Sequence, residues 1–278
     1  MLTKSIGLYL NLLSFVFPKK ASKLAYAFFS EPRTGKLSKN NLPKILQESK
    51  TETLWFEDHQ FQTYTWEGNE TVVLLVHGWE SNASRWENIL PYLKKSGSNI
   101  IAIDGPAHGL SSGKEFSIPK YAEFIHVAVE KFHPKYLIGH SMGGKTCLYY
   151  QSIYQNDKIE KIVVLGSPSD FKIILQNYIS LLSLNYKISK ALEDHYLEHF
   201  KIKLEHFSGQ VFASEIDIKG LVAHDIDDKV VSFKEAKKIV GAWKNVQFIE
   251  TSGLGHRLHD DDLYKKVSQF LFETEYPD

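Results

Sequence analysis

Cysteine is nearly absent: Cys147 stands alone in 278 residues. A single thiol closes no internal disulfide and builds no multi-cysteine zinc site. A surplus of either charge is missing too, with 33 Lys+Arg against 33 Asp+Glu. Phosphate neutralisation needs a basic surplus, so nucleic acid is not an expected partner. No apolar run reaches the roughly 20 residues of a bilayer span. The nearest, IGLYLNLLSFVF at 6–17, is shorter, with Lys4 before it and Lys19-Lys20 after it. A signal peptide is not expected either, because the small residues at 21–27 run straight into another apolar stretch, LAYAFF. No phosphate-binding loop is expected, and there is no G-x-G-x-x-G fingerprint, no zinc spacing, no repeat and no low-complexity tract. No cofactor and no metal are therefore expected.

What is present divides in two. Residues 1–50 are predicted to be an uncleaved helical extension, an amphipathic hairpin broken at Pro18. Its apolar face is expected to pack on the body, because the stretch lacks a dense Lys/Arg face. Peripheral membrane contact is the alternative. The expected location is cytoplasmic, with membrane association as the variant of that reading. Residues 51–278 form the main domain. TETLWFEDHQFQTYTWEG reads as two strands turning at Asp58-His59. Short apolar runs follow at 72–78, 99–104, 135–140, 161–166, 219–224 and 246–251, as expected of strands buried on both faces. Helical stretches lie between them at 85–95, 119–132, 142–155, 232–243 and 260–272. This alternation predicts an α/β fold, a mostly parallel sheet flanked by helices. The interval of about 168–217 is too long for an ordinary connection and reads as an inserted helical cap.

The sharpest motif is Gly139-His140-Ser141-Met142-Gly143-Gly144, a G-x-S-x-G between a strand and a helix. A serine on such a turn stands above the sheet edge, beside the unbonded N–H groups of the helix start. Serine needs a base and a group to orient that base. His256, in Gly253-Leu254-Gly255-His256 beyond the last strand, is the candidate base. His259 is given little weight, and a His256/His259 metal pair lacks a third ligand. The orienting acid comes from HDIDDKVV: Asp228 is preferred, Asp225 is the fallback, and at least one aspartate there is expected to cap a turn. For an oxyanion, the backbone N–H groups of Trp79, in His77-Gly78-Trp79-Glu80, and of Met142 are the candidate donors. The Trp79 ring either shapes a pocket or simply packs.

With these pieces together, the chain resembles an α/β-hydrolase of the single-domain serine esterase or lipase type with a small helical cap. The resemblance rests on HGW (77–79), DGPAHGLS (104–111), GHSMGG (139–144), HDIDDKVV (224–231) and GLGH (253–256). It spans most of 51–275 and implies Ser141, Asp228 and His256 as catalytic residues, with His108 structural. Ala107 stands where the family commonly has glycine, and Ser232 where it often has proline. The expected activity is cleavage of small to medium apolar carboxylic esters through an acyl-enzyme. Alternatives on the same triad are thioesterase, acyltransferase and C–C bond hydrolase activity. From another class, the alternative is a non-catalytic protein binding a small ligand. The expected partner is a small-molecule ester.

Overall fold

The structure is a computed structural model that describes residues 2–272. Met1 and residues 273–278, the outermost parts of the expected extension and main domain, lie outside the described residues. Helices α1 (Leu2–Val16), α2 (Pro18–Ser30) and α3 (Lys44–Gln47) come first. Strands β1 (Lys50–Phe56), β2 (His59–Trp66) and β3 (Asn69–Val76) follow, then a 3₁₀ turn (Ala83–Asn88), α4 (Leu90–Lys94) and β4 (Ser98–Ile103). Next are α5 (Ile118–Phe132), β5 (Tyr136–His140), α6 (Met142–Tyr154) and β6 (Lys161–Leu165). Three helices, α7 (Phe171–Leu182), α8 (Tyr186–Phe200) and α9 (Gly209–Ser214), precede β7 (Lys219–Asp225). The chain closes with α10 (Phe233–Ala242), β8 (Val246–Thr251), a 3₁₀ turn (Gly255–Arg257) and α11 (Asp261–Phe272).

The eight strands make one sheet in the order β1-β2-β4-β3-β5-β6-β7-β8. The pairings β1–β2 and β2–β4 are antiparallel and the rest parallel, so β2 alone runs against the others. Strand side chains alternate between faces. Leu74, Val76, Leu137, Ile162 and Val164 join the core that contains residues of α5, α6, α10 and the three helices between β6 and β7. Val73, Leu75, Ile138, Val163 and Leu165 join the core that contains residues of α4 and α11. Both faces are covered, which is why these strands read as unbroken apolar runs rather than alternating ones.

The topology itself locates a site. From β3 the chain moves to β4 on one side, then returns to β5 on the other. Such a reversal opens a crevice at the carboxyl ends of β3 and β5. The register pairs Val76 with Gly139, so the loop after β3 faces the turn after β5.

One expectation changes on contact with tertiary structure and another gains detail. The helix expected over 85–95 is split into a 3₁₀ turn and the short α4. Pro91 has no N–H to give a continuous helix and sits instead in the first turn of α4. The N-terminal hairpin does pack, α1 against α7 and α8, and α2 against α8. It does so with Gly7, Leu10, Ser14, Ala21 and Ala25, while Leu8, Leu12, Phe15 and Val16 face outward. The expected packing of an apolar face on the body is met by Leu10, Ala21 and Ala25, with Ile6 and Leu13 partly buried beside them. Close approach to α7 also brings the small Gly7 and the polar Ser14 inward and leaves much apolar surface outside.

Leu10 is fully buried and Leu12 is 60% exposed on the same helix. Leu10→Ala is expected to lower unfolding stability by about 2–4 kcal/mol, through lost burial and a residual cavity. Leu12→Ala should change it by less than about 0.5 kcal/mol. Urea unfolding of both variants checks this; equal losses would show that α1 is not seated as described.

Candidate active site

Ser141 links β5 to α6 with φ 53 and ψ −123, a backbone region that L-residues avoid. Its surroundings hold it there. Its N–H donates to Leu165 O on β6 at 2.8 Å, and Ser167 Oγ donates to its carbonyl. A Cβ on Gly143 would stand 2.1 Å from Val76 O, so only glycine lets α6 start this close to β3. The strained turn places Ser141 Oγ 3.1 Å from His256 Nε2. His256 Nδ1 in turn lies 2.8 Å from Asp228 Oδ2. An ionised carboxylate only accepts, so Nδ1 carries the proton and Nε2 is left to accept from the serine hydroxyl.

Of the three aspartates, the structure brings Asp228 to His256 and uses the others in the loops. Asp225 Oδ2 accepts from Thr251 Oγ1 at 2.8 Å and Leu254 N at 3.0 Å. Its Oδ1 accepts from Asp227 N. Asp227 accepts from Ser252 Oγ and Gly253 N. Together these bonds fix the course of the loop that carries His256. Asp228 Oδ1 accepts from Val230 N at 2.8 Å and Val231 N at 2.9 Å. Burial alone would raise its pKa. Hydrogen bonds from His224 and His256, with those two amides, outweigh burial and hold the carboxyl well below the usual range.

His224 and His140 are supporting residues that the sequence reading did not single out. His224 is fully buried, and its Nε2 lies 2.9 Å from Val231 O and 3.4 Å from Asp228 Oδ2. With two acceptors before it, Nε2 bears the proton. His140 Nε2 donates to His256 O at 2.8 Å, tying the histidine loop to the elbow strand. Burial, with the nearby positive Arg85, keeps His140 neutral. Arg85 Nη2 donates to Arg257 O at 3.1 Å and holds the same loop from the other side. His259 instead meets Tyr264 OH at 2.6 Å, just ahead of α11 and apart from the serine.

The loop after β3 abuts the nucleophile. A Cβ on Gly78 would stand 2.9 Å from Ser141 Cβ and 3.4 Å from its Oγ. His77 Nε2 accepts from Gly105 N at 2.9 Å, and His108 Nε2 accepts from Glu80 N at 2.9 Å. Both rings are buried and burial drives both pKa values down, that of His108 to about 4, so both remain neutral acceptors. Glu80 is held at φ 50 and Ala107 at φ 63. Ala107 therefore adopts, at some cost, the conformation for which glycine is common there. This bracing fixes the main chain on either side of Trp79. Met142 is the first residue of α6, so its N–H has no carbonyl one turn earlier within the helix. The Trp79 ring packs edge-on against Phe116 and His108, at 5.5 and 5.6 Å between centroids.

Contrary to the expectation of no phosphate-binding loop, Gly139–Thr146 spells its letters, G-x-x-x-x-G-K-T. The geometry does not form a phosphate cradle. Helix α6 begins immediately after Ser141. Lys145 Nζ is buried against Ser169 O and Phe207 O (3.0 Å to the latter) rather than turned toward the elbow. Burial lowers its pKa to about 7, against the opposing pull of Asp170 and Glu235. The lysine anchors the entry and exit of the helical insertion to α6.

The fold is shared with known proteins. The family profile of the alpha/beta hydrolase fold matches residues 71–215. A bifunctional esterase/perhydrolase of Acinetobacter calcoaceticus is 24% identical over 233 residues, covering 66% of this chain and 84% of that protein. A serine hydrolase-like protein of Danio rerio is 34% identical over 101 residues, covering 34% of this chain and only 30% of that protein. Among solved structures, alpha/beta hydrolase domain-containing protein 10 from mouse superposes with TM-score 0.62 at 14% identity, over 80% of this chain and 97% of that one. A bromoperoxidase from Bacillus anthracis gives TM-score 0.62 at 21% identity, over 81% of this chain and all (100%) of that one.

The carboxyls of Asp225 and Asp228 are both held below their ordinary values, Asp225 by bonds from Leu254, Thr251 and Asp227 that outweigh burial. A depressed folded-state pKa stabilises the fold above the unfolded value, about 3.9, and that contribution fades as pH falls toward the folded value. Asp228→Asn is therefore expected to lose less stability than wild type between pH 7 and pH 3, measured by thermal melts. A steeper loss in the variant would contradict the assigned bonding.

Proposed function

Because the chain belongs to the α/β-hydrolase-fold family, we propose that it is a serine hydrolase of carboxylic esters, acting on small to medium apolar substrates through an acyl-enzyme on Ser141. The observation that carries this reading is the unbroken relay from Ser141 Oγ through His256 to Asp228, at 3.1 and 2.8 Å. A binding protein has no need of a strained serine aligned on a histidine whose far nitrogen is held by a buried carboxylate.

In this reading His256 Nε2 takes the hydroxyl proton as Ser141 Oγ attacks the ester carbonyl carbon. Asp228 stabilises the imidazolium and fixes its tautomer without itself taking the proton. The N–H groups of Trp79 and Met142 receive the oxyanion of the tetrahedral adduct. His256 then hands its proton to the departing alkoxide, leaving acyl-Ser141 and a neutral alcohol. Water, deprotonated by the same histidine, attacks the acyl carbon and releases the acid, and the proton returns to Ser141. His224 Nε2, 3.4 Å from Asp228 Oδ2, adds to the bonds that keep the carboxylate ionised and oriented.

Apolar acyl and alcohol groups suit the surroundings. Trp79 and Met142 both pack against the apolar core beside the serine. The family hosts several acyl chemistries on this constellation, so the assay must span esters and thioesters of graded chain length.

Ser141→Ala is expected to cut ester hydrolysis by about a thousandfold or more with the melting temperature within a few degrees of wild type. Asp228→Asn should lower kcat on the order of a thousandfold, and Asp225→Asn far less. Wild-type turnover in Ser141→Ala would remove the proposal; the reverse ranking of the aspartates would move the acid to Asp225.

A further inference from the structure

Helix α1 carries apolar residues on both its sides. Its protein side holds Gly7, Leu10, Asn11 and Ser14, with Ile6 and Leu13 partly buried against the core beside them. A Cβ on Gly7 would stand 1.7 Å from Leu182 O, so glycine allows α1 to meet the main chain of α7 directly. Asn11 Nδ2 donates to Ser183 O, Asn185 N donates to Asn11 Oδ1, and Asn185 Nδ2 donates to Ser14 Oγ, each at 2.8 Å. The side turned away from the protein carries Leu8, Leu12, Phe15 and Val16, at 61, 60, 67 and 69% exposed. A helix on a water-facing surface is polar on its outer side, which α1 is not. Small and hydrogen-bonding residues between helices, with aliphatic residues outward, mark helices whose outer medium is lipid.

The patch extends beyond α1. Phe17 is exposed at the corner between α1 and α2, and Leu181 and Tyr186 are exposed at the α7–α8 corner that Asn11 clamps. Cations border it. The first thirty residues contain Lys4, Lys19, Lys20 and Lys23 and no acidic residue, in a chain whose charges balance as a whole. Lys187 Nζ lies 4.8 Å over the Phe15 ring. Lysines at the rim of an apolar surface place their stems on it and their heads among lipid phosphates. No helix among the described residues is long and apolar enough to cross a membrane. An apolar face of this length with a cationic border lies in the interface plane instead.

We propose that the outer face of α1, with the α7–α8 corner, docks on the surface of an anionic lipid bilayer. A second copy of the chain fits the face less well, because it would bring two lysine-bordered hairpins together with no carboxylate in either. The contact does not depend on the reaction assigned to Ser141 and is read out by binding alone.

The test is co-sedimentation of the full chain with vesicles of phosphatidylglycerol and phosphatidylcholine in equal parts. Wild type is expected in the pellet. The triple variant Leu8→Glu/Leu12→Glu/Val16→Glu should partition about tenfold or more weakly, having lost the apolar contribution. All three positions are exposed, so its melting temperature and its rate on a short soluble ester should match wild type. Lys19→Glu/Lys20→Glu, which leaves the apolar face intact, should weaken binding to these vesicles and not to phosphatidylcholine alone. Wild type left in the supernatant would overturn the proposal, as would equal binding by the triple variant. So would a wild-type dimer in gel filtration that the triple variant converts to monomer, since the face would then be covered by a second copy.

Discussion

Everything at the carboxyl edge of the sheet is arranged around one strained turn. Ser141 occupies a backbone region that costs of order 1–3 kcal/mol for a residue with a side chain. The turn survives because its neighbours over-determine it: its N–H and carbonyl are both bonded, and Gly143 admits the backbone of β3. What this achieves is separation. The serine oxygen stands clear of the sheet, in reach of a histidine delivered from a loop 115 residues further along the chain. The bracing of His256 by His140, Arg85 and Asp225 then becomes necessary, because a loop histidine left to itself would sample many positions.

The buried charges around this turn divide the labour. Asp228 is kept ionised by four hydrogen bonds, whereas His77, His108 and His140 are kept neutral by burial. His77 and His108 each accept a loop N–H at Nε2, and His140 donates to the His256 carbonyl, so each ties chain segments together without adding charge beside the serine. Lys145 does the same for the helical insertion with a group that is harder to bury. It satisfies its donors on two carbonyls and sits near the carboxylates of Asp170 and Glu235.

Much of this architecture was legible in the sequence. Unbroken apolar runs marked the strands of a sheet covered on both faces, and the strand–G-x-S-x-G–helix order marked the turn. Asp228 was preferred to Asp225 only by its place before Val230 and Val231, and the three neighbouring aspartates differ in role by hydrogen bonds that no spacing reveals. His224 was hidden as the last letters of a strand, KGLVAH, where alternation says only that the side chain is buried. The orientation of α1 was illegible for a different reason. A run such as LNLLSFVF says that apolar surface must leave water, and not which side of the helix a protein partner will take. Asn11 and Ser14 decide that, and their partners Ser183 and Asn185 lie more than 170 residues away.

The central claim is that the elbow serine becomes covalently acylated. Intact-mass spectrometry after reaction with an excess of a fluorophosphonate, followed by peptide mapping, tests it most directly. The account predicts one adduct per chain, located on Ser141, absent from Ser141→Ala and formed much more slowly by His256→Ala. An adduct on another residue, or an unmodified wild-type protein, would contradict it.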